Sequence, residues 1–263
     1  MLPFSSQYST RRTMEETVAL ILAAGKGTRM NSDLAKVLHP ICGKPMLSYP
    51  LAAVKGLPCD RILAVIGHQA ERIQEIFVEA QVEWVVQSQQ LGTAHAVLCA
   101  LPRLKGFTGT VLICCGDTPL LTDETLRTFL ERHHEAGVDL SVLTMVLDEP
   151  GSYGRILRDR KGRVKGIVEA KDAHAEQRGI HEVNTGIYCA RADLLHAVIP
   201  SIGNTNAQAE YYLTDLVHQA VDQGWKVETV VAAEPQEFLG VNTHDELAAA
   251  AAIISSRLER SST

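Results

Sequence analysis

Apolar positions along the chain come in short continuous runs, each followed by a polar loop and then a stretch of mixed character. Such runs fall at 18–22, 61–66, 82–86, 111–114 and 140–147, and the first is wholly aliphatic with β-branched residues. All five predict strands, and the first, with no polar residue in it, predicts a strand covered on both faces. Between them the pattern turns helical. Ile73, Ile76 and Phe77 fall on one helix face, residues 94–100 are rich in alanine, and Thr122 or Asp123 can cap the helix that follows them. Pro45 is placed to open a helix at its first position, with Pro50 inside it delaying or kinking the first turn. Strand and helix alternate, which predicts an α/β fold with a doubly wound, mostly parallel, Rossmann-like sheet.

The second half changes character. Residues 153–158 and 164–169 flank a polar turn at 160–163 and predict a β-hairpin, the mark of a smaller accessory part. A strand is expected at Val183–Tyr188, a helix opening at Glu210–Asp215, a strand over 225–231, and a last helix running through Ala248–Ala252. Asn242 or Thr243 would cap that helix. There are no internal repeats, and in particular no hexapeptide β-helix repeat.

In a doubly wound sheet ligands bind at the carboxyl ends of the strands. The loops that start at Ala23, Gln87 and Gly116 lie at such ends, so they should converge on one crevice. The first, Ala23-Ala24-Gly25-Lys26-Gly27-Thr28-Arg29-Met30, offers exposed backbone N–H groups and two fixed positive charges. Small residues there let a large anion lie against the backbone itself, which suits a polyphosphate. The alternative is a tight strand-to-helix turn that needs glycine and binds nothing. Met30 breaks the dinucleotide fingerprint, and Gly43-Lys44 is followed by Pro45, so neither common phosphate motif is present.

Asp117 stands at a strand end, where a carboxylate can hold magnesium together with water and substrate phosphates. It is equally a turn residue near Pro119. Asn242 either donates a second hard oxygen or caps the last helix. Glu169 and Asn184 stand at strand ends and suit sugar hydroxyls, although Glu169 beside Lys171 also reads as a solvated residue.

Composition narrows the class. The chain has 263 residues, 46% of them apolar, and a net charge of −6 with no basic stripe, which argues against a nucleic-acid partner. No apolar segment approaches the ~20 residues of a membrane span. Of the six cysteines none forms a C-x-x-C pair, so they read as small buried apolar residues in a reducing compartment. Residues 1–16 contain serines and Arg11-Arg12 and predict a disordered tail. Residues 17–242 then form the main domain, and residues 243–263 the C-terminal helix.

Several stretches together resemble a known family. They are Leu22–Met30, Lys36-Val37-Leu38, Gln87 with Gln90–Ala94, Gly116-Asp117 with Pro119-Leu120, and Tyr153–Ile156. Further along come Gly166–Ala173, Asn184–Ile187, Asn206–Asp215 and Gly240–Asn242. The early loop resembles the signature of sugar-phosphate nucleotidylyltransferases. The order and spacing of the whole set resemble the N-terminal uridylyltransferase domain of bacterial bifunctional N-acetylglucosamine-1-phosphate uridyltransferases. The resemblance implies transfer of UMP from UTP to N-acetylglucosamine 1-phosphate, with Mg2+ as cofactor, in cytoplasmic synthesis of cell-envelope precursors. It further implies that Leu22, Ala23, Ala24, Gly25, Lys36, Gln87, Gly92 and Thr93 hold the nucleotide. Arg29, Lys36 and Asp117 would act in catalysis, Asp117 and Asn242 would hold the metal, and Gly154, Glu169, Asn184 and Asn242 would hold the sugar.

Two departures accompany the resemblance. The family commonly has an aromatic residue where this chain has Cys115, which bears on the fit around the sugar. The family also continues into a left-handed β-helix that acetylates and forms a trimer; acetylation is not expected of these 263 residues, their oligomeric state stays open, and they read either as a single-activity enzyme or as a fragment of a bifunctional one. Another sugar 1-phosphate, dTTP in place of UTP, or a catalytically silent nucleotide-sugar sensor are the competing expectations.

Overall fold

Strand β1 (Thr17–Ala23) sends Val18 and Leu20 into one apolar cluster and Ala19 and Ile21 into another, all four without solvent exposure. Successive side chains of a strand point to opposite faces, so both faces of this one are covered. The computed structural model describes residues 16–261 and is organised around this strand.

In chain order β2 (Pro40–Ile41) and β3 (Lys44–Pro45) form a small hairpin, followed by α1 (Ser48–Lys55), β4 (Arg61–Ile66), α2 (Ala70–Ile76), β5 (Glu83–Val86) and α3 (Thr93–Ala100). Then come β6 (Thr110–Cys115), α4 (Asp123–Ala136), β7 (Leu140–Val146), β8 (Arg155–Arg158), β9 (Val164–Val168) and α5 (Ala175–Arg178). The chain ends with β10 (Glu182–Arg191), α6 (Ala192–Val198), α7 (Asp215–Asp222), β11 (Val227–Val231) and α8 (His244–Ser261).

The main sheet runs β11-β7-β10-β6-β1-β4-β5. β1, β4, β5 and β6 are parallel, β11 is parallel to β7, and β10 runs against both β6 and β7. The mostly parallel sheet is as expected, with β10 as a reversed strand in its middle. The hairpin β8–β9 joins through the pairing of Val183 with Arg155. α4 shows how local sequence builds a covering helix. Thr122 Oγ1 accepts from Thr125 N at 3.3 Å, and Leu126, Phe129, Leu130 and His133 form the buried face at helical spacing. Burying Phe129 contributes about 2 kcal/mol.

The structure corrects several local expectations. Pro45 does not open a helix; it pairs with Pro40 in the β2–β3 hairpin, whose turn residues Cys42 and Gly43 both have positive φ. The helix starts at Ser48, which leaves Pro50 in the first turn, where its missing N–H costs nothing. In α2 only Ile73 is buried; Ile76 is 48% exposed and Phe77 is the cap. Glu210 does not open a helix either, since α7 begins at Asp215. Cys114 and Cys189 are buried as expected, but Cys42 is exposed. The tail expected over residues 1–16 lies, except for Glu16, outside the described residues. No helix among the described residues is long and apolar enough to cross a membrane.

Candidate active site

Where β1 ends, the chain turns through Ala24, Gly25, Lys26 and Gly27 into a single 3-10 turn at Thr28–Met30. The two glycines have different reasons. Gly27 has φ +67°, and a Cβ there would lie 2.6 Å from Lys36 Cβ, so Gly27 lets the Lys36 stem pass beneath the loop. Gly25 has no atom within 4 Å of where a Cβ would be and no left-handed backbone. Its missing side chain leaves open space above exposed backbone.

Lys36 leads from that loop into a polar cluster. Its Nζ donates to Asn242 Oδ1 at 2.6 Å and pairs with Asp117 Oδ2. Arg29 Nη2 donates to the same Asn242 oxygen at 2.7 Å. Asp117 follows the end of β6, and its carbonyl accepts from Val241 N at 2.9 Å, which fixes Asn242 next to it. Asn242 is not the helix cap. Thr243 Oγ1 accepts from Glu246 N, and the Glu246 carboxylate accepts from the backbone N–H of Asn242 and Thr243. This capping box frees the Asn242 side chain to face Lys36.

The donor set suits a hard cation. One carboxylate oxygen and one amide oxygen converge on a single ammonium, and magnesium takes few protein oxygens while keeping water and phosphate in its other positions. No cluster of three or more His, Cys, Asp or Glu that could hold a metal lies among the described residues.

A cleft of about 400 Å³ opens beside this cluster. Leu22, Ala23, Ala24, Gly25, Lys36, Gln87, Gly92, Thr93 and Asp117 all line it, so the three strand-end loops do meet. Cys115, the departure noted in the sequence, lines it as well, as do Gln90, Ala96 and Glu210, to which the sequence reading gave no role. Gln87 is buried at the end of β5. Its Nε2 donates to Gly92 O at 3.1 Å and lies 2.9 Å from His95 Nδ1, so its Oε1 is the group free to accept from a ligand. Nothing in the apolar pattern pointed to His95, which lies within the alanine-rich helix.

Gly154, Glu169 and Asn184 form a second group that does not line this cleft. Asn184 N donates to Gly154 O at 2.9 Å, and a Cβ on Gly154 would lie 3.7 Å from the Glu169 carboxyl carbon. Thr214 Oγ1 donates to Glu169 Oε1 at 3.0 Å. Burial, then the acids Asp172, Asp215 and Glu210, pushes the Glu169 carboxyl up, against the Thr214 hydrogen bond. Asn184 Nδ2 donates to Tyr188 Oη at 2.8 Å and its Oδ1 accepts from Gly186 N, which supports a bulge in β10. Cys115 joins the two groups: it lines the cleft, and its Sγ lies 3.0 Å from where a Cβ on Gly186 would be. Burial pushes the Cys115 thiol up to about 12, so it remains protonated and apolar in character.

The sequence reading missed the residues that hold others in place. Of the two caps expected for the last helix Thr243 is the one used, and its missed partner Glu246 carried a legible signal, the capping-box spacing. Tyr188 and Thr214 carried none, because their partners are set by tertiary contacts.

Comparison with known proteins gives the family. Residues 19–182 match the model of the MobA-like NTP transferase domain. Over 248 residues, 94% of the chain, it is 49% identical to the bifunctional protein GlmU of Pelobacter propionicus and 50% identical to that of Geobacter metallireducens. A third GlmU protein, from Desulfotalea psychrophila, is 45% identical over 88% of the chain. The chain spans 54% and 52% of the first two relatives and 68% of the third. On a family match that covers more than half of its length, the chain belongs to the MobA-like NTP transferase domain family, with GlmU proteins among its relatives.

Proposed function

We propose that the chain transfers UMP from UTP to N-acetylglucosamine 1-phosphate, giving UDP-N-acetylglucosamine and pyrophosphate, as a cytoplasmic enzyme of cell-envelope precursor synthesis. The observation that carries this reading is the convergence of Lys36, Asp117, Asn242 and Arg29 at the edge of a cleft floored by the Ala24–Gly27 backbone. A phosphate oxygen of the sugar phosphate attacks the α-phosphorus in line, and pyrophosphate leaves. The nucleophile is already an anion, so no general base is required. The protein's task is to align two anionic reactants and offset their charge. Lys36 and Arg29 suit that task, and the exposed N–H groups at Gly25 suit the phosphates. Magnesium held by Asp117 and Asn242 would supply a Lewis acid to the phosphate oxygens.

Gln87 Oε1 is an acceptor, which favours a base with a ring N–H such as uracil over cytosine. Thymine presents the same edge, so dTTP is the competing nucleotide. Glu169 and Asn184 supply polar atoms for sugar hydroxyls.

The test is magnesium-dependent pyrophosphate release from UTP, dTTP, ATP or GTP, each with N-acetylglucosamine 1-phosphate or glucose 1-phosphate. Release with UTP and the N-acetylated sugar, lost in Asp117→Asn, is the expected result. Fast release with another pair would move the substrate, and no release with any pair from folded, UTP-binding protein would overturn the enzymatic reading.

A further inference from the structure

Lys36 holds the two oxygens that the reading above gives to the metal, and both through one atom. Its Nζ donates to Asn242 Oδ1 at 2.6 Å and pairs with Asp117 Oδ2. An ammonium is a compact cation on a flexible stem. A divalent ion held by these residues would take the Asn242 oxygen and a carboxylate oxygen of Asp117, beside the ammonium. The Asn242 oxygen already accepts from both Lys36 and Arg29, so an ion there meets the repulsion of two like charges unless the ammonium moves off. We propose that Lys36 is a cation placeholder: its ammonium holds Asp117 and Asn242 together until the nucleotide's phosphates draw it away and the divalent ion takes its position.

The rest of the neighbourhood is arranged for such an exchange. The Lys36 side chain is 9% exposed, and its stem lies against Gly27, with Cβ, Cγ and Cδ at 2.6, 3.1 and 3.3 Å from where a Cβ would be. The stem is therefore held, and the freedom left is in the terminal torsions that carry Nζ. Gly27 belongs to the loop whose exposed N–H groups suit phosphate, so a triphosphate on that loop brings new acceptors within reach of the same ammonium. Arg29 Nη2, on the same loop, also donates to Asn242 Oδ1 at 2.7 Å and is exposed. Two cations thus occupy the Asn242 oxygen, and one of them, Lys36, lines the cleft proposed for the polyphosphate.

The placeholder makes metal and nucleotide binding interdependent. Without phosphate the ion must displace an ammonium, so it binds weakly. With phosphate the ammonium has a better partner, and the oxygens are released to the ion. Such coupling is reciprocal. The ammonium also spares Asp117, only 28% exposed, from standing unpaired when the cleft is empty.

This inference rests on the metal role of Asp117 and Asn242, and the experiment separates the two. Free Mn2+ is measured by electron paramagnetic resonance during titration of the nucleotide-free full chain, with thermal melts as a check on folding. Lys36→Met keeps the stem and removes the charge; it is expected to bind Mn2+ roughly tenfold more tightly than the wild type. Arg29→Gln, at an exposed position, is expected to show a smaller increase, and Lys36→Gln is measured in place of Lys36→Met if the latter does not fold. Asp117→Asn is expected to weaken binding. If Lys36→Met binds Mn2+ no better than wild type while Asp117→Asn weakens it, the placeholder is overturned and the metal site stands. If Asp117→Asn binds as wild type does, the metal site falls and the placeholder with it.

Discussion

The carbonyl of Tyr211 lies against the α-carbon of Gly92, where a Cβ would come within 2.5 Å of it. Tyr211 N donates to Leu91 O, Tyr211 O accepts from Ala94 N, and Leu213 N donates to Thr93 Oγ1. Residues 206–214 thereby form a strap across the start of α3 and shape one wall of the cleft.

Gly92→Ala meets two penalties at once, a backbone φ of +121° and collision with the Tyr211 backbone. We expect a loss of about 2–4 kcal/mol in urea unfolding. Nucleotide affinity should fall with it, because Thr93 is positioned by the same contact. Unchanged stability would show that the strap can move aside.

Gly25→Ala is the counterpart. Its Cβ meets nothing within 4 Å and its backbone is not left-handed. Stability should stay within about 0.5 kcal/mol. The methyl group would occupy space proposed for the nucleotide, so the affinity for UTP should fall roughly tenfold or more by calorimetry. Normal UTP binding would place the phosphates elsewhere.

Glu169→Gln tests the sugar group. The Glu169 carboxyl is pushed up by burial, so the ionised form is disfavoured in the fold. Its destabilising effect is absent below the ordinary carboxyl value and grows as pH rises through the raised one. The amide does not titrate, so the substitution should remove that pH step. It would also lose a charged acceptor, so KM for the sugar phosphate should rise by roughly tenfold or more while KM for UTP holds. A rise in both would show that Glu169 supports the whole cleft.

His133 governs an acid step away from the site. Burial, then its neighbour His134, lowers its pKa from 6.5 to about 4, and its Nδ1 lies 2.8 Å from Ser141 Oγ. A histidine kept neutral by the fold stabilises it fully above the unfolded value and loses that contribution as pH falls through the folded one. Unfolding free energy should therefore drop by about 3 kcal/mol between pH 6.5 and 4 from this group. His133→Gln keeps a partner for Ser141 and should flatten the slope; an unchanged slope would assign the loss to other groups.

The fold class was legible because a strand covered on both faces needs a continuous apolar run. Val18–Leu22, Arg61–Ile66 and Val111–Cys114 carry that mark locally. The strand-end loops were legible for a related reason: Gly25, Gly27 and Gly116 interrupt the pattern just where strands stop. The pairing of Pro45 with Pro40 was not legible, because a proline suits a hairpin as well as the first turn of a helix.

What the sequence determined by itself is therefore the alternation of strands and helices, the loops at the strand ends, and the residue types that those loops present. Tertiary structure alone decided which of those residues meet. Lys36 and Asp117 are 81 positions apart, and Arg29 and Asn242 are 213 apart. No local pattern encodes such pairs. Asn242 reads as a cap until Thr243 and Glu246 take that role, and the strap at Tyr211 reads as the start of a helix until the Gly92 backbone receives it. The physical reason is that an apolar run is recognised by its own composition, whereas a hydrogen-bonded side chain is defined by its partner, and the fold chooses the partner.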